Sequence, residues 1–277
     1  MKVILQGTRG SYPTSNKDTE HFGGSTSCVE LVNDNHRIIL DAGTGILNID
    51  IANYKDMPRI DIVLTHLHMD HIQGLGFFKL LFDPSKEIHI WGPAGNSQTL
   101  FHRLCRFISP PIFPVSLYDY PSDIHIHEIT NSTFDIQDFK LHSSFVCHPG
   151  PTVGYRIECN SSTLTYIPDH EPILGLTELY KDSDWLTGYD LAKDTDLLIH
   201  DAQYDSEGYK NCVGWGHCSM HHASEFAKKT NAKKLVMFHH DPAHTDDHKN
   251  KMFDHFKSNN DYDFDMELAV QGKVYEL

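Results

Sequence analysis

The stretch Thr65-His66-Leu67-His68-Met69-Asp70-His71 constrains this chain more than any other. It comes straight off Ile60–Leu64, a short unbroken apolar run of the kind that forms a strand buried on both faces. Four potential metal ligands fall within six residues. A regular strand would alternate such side chains to opposite faces, whereas a loop leaving a buried strand lets them converge on one point. Imidazole and carboxylate together suit zinc and, less selectively, manganese, iron or nickel.

The rest of the chain supplies a matching frame. β-branched content and brevity predict strands at Lys2–Gln6, Cys28–Asn33, Arg37–Asp41 and Ile88–Trp91, with a hairpin turn at Asn33–His36. A second set is predicted at Phe139–Val146, Thr152–Cys159, Thr163–Ile167, Asp196–His200 and Lys234–Phe238. Helices are expected over Ala94–Phe107, His217–Thr230 and Asp246–Ser258. Ser109–Asp123, rich in proline and aromatics, reads as a loop or insertion. No repeat and no break in composition divides the chain, so residues 1–277 are expected to form one domain. Strands, helix, strands, helix in two similar halves fit an α/β architecture with helices outside two facing sheets.

Three further motifs follow predicted strands: Cys147-His148-Pro149, Pro168-Asp169-His170 and His239-His240-Asp241-Pro242. With the HxHxDH signature in first place, the chain resembles the metallo-β-lactamase superfamily over nearly its whole length. That resemblance implies an αββα sandwich of two facing mixed β-sheets with outer helices and a dinuclear metal site at one sheet edge. It implies His66 and His68 on one ion, Asp70 and His71 on the other, His148 as a further ligand and Asp169 as the bridging acid. The last ligand is His239, which ends its strand where the family histidine sits and is preferred to His240. Asp41, in the LDAGTG segment, is expected to hydrogen-bond a ligand histidine, with His200 and Asp201 doing similar work. His244, and Phe77 with Phe78, are weaker candidates for substrate contact and otherwise packing residues.

A narrower likeness involves Asp196 to Tyr204, Gly216-His217-Cys218-Ser219 and Lys233 to His239. These resemble the tRNase Z branch, in which the histidine of a "GHST"-like motif donates a proton; that role carries over to His217, and Ser219 is either the helix cap or lies with Cys218 just before the helix. Gly7 to Ser11 and Gly23 to Cys28 also resemble this branch. The FHHDP form of the last motif is similar to cyclic-nucleotide phosphodiesterases of the same fold, including the anti-Pycsar type. Residues 109–135 match least and are expected to shape the pocket. The resemblance therefore implies a phosphodiesterase with two divalent ions, zinc first and Mn2+, Fe2+ or Ni2+ next. A metal-bridging hydroxide would attack a cyclic nucleotide, Asp70 would orient it, and His217 would act as general acid. The alternative is a tRNA 3′-end endoribonuclease; another hydrolase of the fold, or a non-catalytic zinc-binding protein, comes after it. A homodimer is also implied.

Charge bears on the choice of partner. The chain carries 23 Lys and Arg against 38 Asp and Glu, a net charge of −15 over 277 residues. Affinity for a long nucleic acid rests on clustered cations, so a small phosphodiester is the expected substrate. No run of 18 apolar residues predicts a transmembrane helix. Six cysteines without CxxC spacing read as reduced thiols of a cytoplasmic protein.

Overall fold

The structure is a computed structural model and describes residues 1–34, 36–176 and 178–277. The first half forms β1 (Lys2–Gly7), β2 (Cys28–Asn33), β3 (His36–Leu40), β4 (Arg59–Val63), α1 (Met69–Ile72), β5 (Glu87–Pro93), α2 (Leu100–Phe107) and β6 (Asp123–Ile129). The second begins with β7 (Ser132–Ile136), β8 (Phe139–Phe145), β9 (Val153–Cys159), β10 (Ser162–Ile167), α3 (Tyr189–Ala192) and β11 (Leu197–Asp201). It ends with α4 (Ser206–Tyr209), α5 (Met220–Thr230), β12 (Lys234–Phe238), α6 (Asp246–Asn259), β13 (Asp265–Leu268) and β14 (Val274–Glu276).

The strands make two seven-stranded sheets, ordered β14-β1-β2-β3-β4-β5-β6 and β13-β12-β11-β10-β9-β8-β7. Each is mixed. In the first sheet β3, β4, β5 and β6 are mutually parallel; in the second β10, β11, β12 and β13 are. Parallel neighbours finish at the same sheet edge, so the loops after β3, β4, β10, β11 and β12 emerge together. That edge is where the site lies.

Adjacent residues along the parallel strands face different cores. Leu40, Val63, Leu164, Ile199 and Phe238 fill the space between the sheets. Ile39, Ile62 and Ile90 point the other way, against Leu100 and Leu104 of α2. Leu198, Leu235 and Met237 meet Ala223 and Phe226 of α5. Burial on both faces is why these strands read as unbroken apolar runs. The layers are the αββα sandwich that the motifs implied.

The structure corrects several boundaries. The helix expected from Ala94 begins at Leu100, because the Thr99 hydroxyl accepts from the His102 amide (3.3 Å) and caps it there. The helix expected from His217 begins at Met220, because Ser219 caps it through the His222 amide (3.2 Å); His217 and Cys218 lie in the preceding loop. Strands β6, β7, β13 and β14 were not expected. The Asn33–His36 hairpin includes Asn35, outside the described residues. Among those described, no helix is long and apolar enough to cross a membrane, and all six cysteines are free.

Candidate metal centre

Asp41 follows β3 with φ 59°, a left-handed conformation uncommon for a residue with a Cβ. Its buried carboxylate accepts from the Thr65 amide (2.7 Å), the Thr65 hydroxyl (3.0 Å) and the Tyr166 hydroxyl (2.9 Å). It also lies 2.9 Å from His71 Nδ1. A carboxylate can only accept, so His71 donates through Nδ1 and turns Nε2 toward the centre. Asp41 thus holds the loop after β4 and one imidazole at once.

His148 and His66 are anchored through Nδ1 in the same manner. His148, after β8, has Nδ1 2.7 Å from the Gly216 carbonyl. Gly216 has φ 87°, and a Cβ there would come within 2.3 Å of His148 Nδ1, so only glycine lets the loop close on this ring. His66 Nδ1 lies 3.1 Å from the Thr65 hydroxyl. His239 ends β12 with φ 59° and places Nε2 3.0 Å from Asp70 Oδ2 and 3.4 Å from Asp169 Oδ2. The Ser11 amide donates to Asp70 Oδ2 (2.6 Å).

Beside a smaller group of Asp201, His217 and His239, two groups of four donor residues result, His66, His68, His148 and Asp169, then Asp70, His71, Asp169 and His239, each with its atoms within 4.8 Å of one another. Asp169 belongs to both. His66 Nε2, His71 Nε2 and Asp169 Oδ1 are buried and have no hydrogen-bond partner. The His71 Nε2 to Asp169 Oδ1 separation is 3.0 Å without hydrogen-bond geometry. Buried polar atoms of this kind are costly unless something satisfies them, and a nitrogen and oxygen donor set suits divalent zinc and its neighbours. Burial pulls the His66 imidazole well below its ordinary range, assisted by His71. It also brings His148 down to about 4, so both rings present lone pairs. Burial works against the Asp169 carboxylate, yet His239, His71 and His66 hold it well below the usual range. The residues fit a pair of divalent cations.

His217 stands beside this centre, its ring stacked on His239 with centroids 4.7 Å apart and planes 18° apart. Nδ1 is 2.7 Å from Asp201 Oδ2. Burial lowers the imidazole pKa, but Asp201, by charge and hydrogen bond, with Asp169 and Asp70, raises it to about 9. The structure brings His239 rather than His240 to the centre; His240 Nε2 is 2.7 Å from the Ala269 carbonyl. His200 reaches His170 (2.9 Å), not a member of either donor group. Phe78 is core, whereas Phe77, beside it in a tight turn, is exposed and packs edge-on against Phe113. Beside His66 a cavity of about 380 Å³ opens, walled by Leu67, Met69, Arg103, Arg106 and Phe107. Of the divergent 109–135 segment only Ile112 reaches it. Sequence reasoning missed Thr65, Tyr166, Gly216 and Ser11; the one available signal was the inward-facing position of Tyr166, three residues before Asp169.

Two facing mixed sheets with a histidine and aspartate centre at their common edge define the metallo-β-lactamase-fold hydrolases. The chain belongs to the beta-lactamase superfamily, whose domain model matches residues 36–240. It is 25% identical over 280 residues to a ribonuclease Z of Thermococcus gammatolerans, covering 86% of this chain and 83% of that one. Its fold matches the metallo-beta-lactamase fold protein YhfI of Bacillus subtilis with a TM-score of 0.71 at 18% identity, over 99% and 98% of the two chains. Human tRNase Z, short form, matches with a TM-score of 0.68 at 21% identity, over 100% and 99%.

Proposed function

We propose that the chain hydrolyses phosphodiester bonds at a centre of two divalent cations, zinc first among them. In this reading His66, His68 and His148 would hold one ion and Asp70, His71 and His239 the other, with Asp169, a member of both groups, serving the two. The observation that carries it is the set of buried His66, His71 and Asp169 donor atoms with no partner of their own. Bound there, the ions would supply positive charge to the phosphoryl oxygens and lower the pKa of attacking water. The chain's own groups do the rest. Asp201 occupies His217 Nδ1, so the transferable proton sits on Nε2, and a pKa raised to about 9 keeps that proton in place at neutral pH. Divalent charge nearby opposes this rise and makes the proton easier to give up. Asp70, fixed by the Ser11 amide, faces the centre and orients the nucleophile.

Two substrate classes are in play. Relatives named ribonuclease Z favour an RNA 3′-end nuclease, and so reverse the order that charge and motif form suggested. A small cyclic nucleotide is the second reading, favoured by the net charge of −15 and a cavity of about 380 Å³ beside His66. The deciding experiment is a hydrolysis panel of precursor tRNA, cyclic mono- and dinucleotides and bis(p-nitrophenyl) phosphate, with and without chelator. Cleavage of precursor tRNA with a steep salt dependence supports the first reading; ring opening of a cyclic nucleotide alone supports the second. Inactivity on every phosphodiester, or activity indifferent to chelator, overturns the proposal. A homodimer belongs to the same reading and is tested by sedimentation.

A further inference from the structure

The chain has 21 histidines, many more than the centre uses. Three of the others lie on neighbouring strands. β5 and β6 run parallel, with Glu87, His89 and Trp91 opposite Asp123, His125 and His127. Ile88 and Ile90 face the outer core, so His89 and Trp91 turn the other way, toward the gap between the sheets. β6 is the last strand of its sheet.

These rings form a stack. His89 lies 5.0 Å from His127 with planes 5° apart and 4.7 Å from His125 with planes 20° apart. His127 stacks on Trp91 at 3.9 Å. His89 Nδ1 is 2.8 Å from His127 Nε2, which fixes the ring and leaves Nε2 directed at Glu87 Oε1, 2.8 Å away. His125 Nε2 points at the same carboxylate oxygen, 3.6 Å away, and at Asp123 Oδ2, 3.2 Å away. That nitrogen is buried and makes no hydrogen bond. Glu87 Oε, His89 Nε2 and a nitrogen of His125 thus form a further group within 4.8 Å, away from those of the centre.

The charges agree. Arg59 is engaged by both oxygens of Asp61, at 2.9 and 2.8 Å. Among the described residues, Glu87 and Asp123 are paired with imidazoles alone. Two carboxylates beside two imidazoles, with no Lys or Arg among the described residues paired to them, match one divalent cation. Inward-facing polar groups on a last strand also discourage edge pairing. That purpose asks only for polarity, and not for two Nε2 atoms aimed at one carboxylate.

We propose that Glu87, His89 and His125 form a separate site for one divalent d-block cation of the zinc class, clipping β5 to the edge strand β6. Two imidazoles and a carboxylate are a zinc-type donor set, and the half-exposed Glu87 and His125 leave a coordination position to solvent. The site is remote from the centre. Glu87 lies across from Arg59, at the start of β4; the strand ends at Val63, four residues or about 13 Å further on, and His66 lies three residues beyond that.

The test is calorimetric titration of zinc into the chelator-stripped full chain. His125→Gln and Glu87→Gln are expected to bind one ion per chain fewer than wild type. His255→Gln, on the exposed side of α6, is expected to keep the wild-type number. The same loss of one ion is expected when His125→Gln is placed in an Asp169→Asn background, so the result does not depend on the centre. Equal numbers for wild type and both edge variants, or an equal loss in His255→Gln, overturn the site.

Discussion

One histidine cluster of this protein gathers past the ends of β4, β8, β10 and β12, the other lies toward the start of β5 and β6, and they are held in different ways. In the centre, three rings meet a neighbour through Nδ1: His71 on Asp41, His148 on the Gly216 carbonyl, His217 on Asp201. Asp41, just after β3 of the first sheet, also accepts from the Tyr166 hydroxyl of the second, so the arrangement exists only when both sheets are assembled. At the edge, His89 leans on His127 from the next strand, and the carboxylates are open to water. The first cluster is fixed by tertiary packing, the second by the register of two strands. Buried, pre-oriented donors lose little freedom on taking up an ion; half-exposed ones must be ordered by it. The centre is accordingly expected to bind its ions more tightly than the edge.

The sharpest break in the comparison is Asp169→Asn. Asp169 serves both donor groups of the centre, so its loss acts on both ions as a unit. Phosphodiesterase activity is expected to fall by about 10⁴-fold or more, read in the same assay with ion content measured beside it. Next comes His217→Ala, which removes the proton donor and leaves every proposed ligand. Turnover is expected to drop by about 10³-fold, with the ion count of the wild type. Loss of ions in that variant would make His217 a ligand instead.

These contrasts follow how far each part was legible in the chain. The loop after β4 is a local feature: the apolar strand and four ligands stand side by side, and no distant residue is needed to recognise them. The supports of that loop are not local. Tyr166 donates to Asp41 across 125 residues of sequence, and Gly216 is defined by a ring 68 residues away. Neither residue type suggests such a role by itself. β6 was missed for another reason. Asp123 to His127 alternates polar and apolar residues, as a strand should, but the alternation breaks at Glu128, the segment follows a proline-rich loop, and its inward positions carry histidine where a core strand carries aliphatics.

Asp41→Asn tests how much of the centre's advantage comes from such supports. The amide cannot accept from His71, Thr65 and Tyr166 as the carboxylate does. Removing a partner of this kind weakens metal binding or activity by about 10- to 100-fold. The matching change at the edge, His127→Phe, keeps the stack but removes the hydrogen-bond partner beside His89. It is expected to weaken only the single edge ion and to leave phosphodiesterase activity at the wild-type level.

The smallest effect is thermal, and it separates the clusters by pH in the metal-free protein. His217 goes from an ordinary 6.5 to about 9 in the fold, against the pull of burial, through Asp201, Asp169 and Asp70. A group whose pKa is raised on folding adds stability that is complete below its unfolded value and is lost as pH climbs through its folded value. In chelator, the melting temperature of wild type is therefore expected to decline between pH 6.5 and pH 9 by a few degrees more than that of His217→Ala. Differential scanning fluorimetry across that window measures it. Edge variants such as His125→Gln should follow the wild-type slope, because the carboxylates that hold the His217 proton remain in place. Parallel slopes for wild type and His217→Ala would mean that Asp201 does not hold a proton on this ring, and the proton-donor role would fall with it.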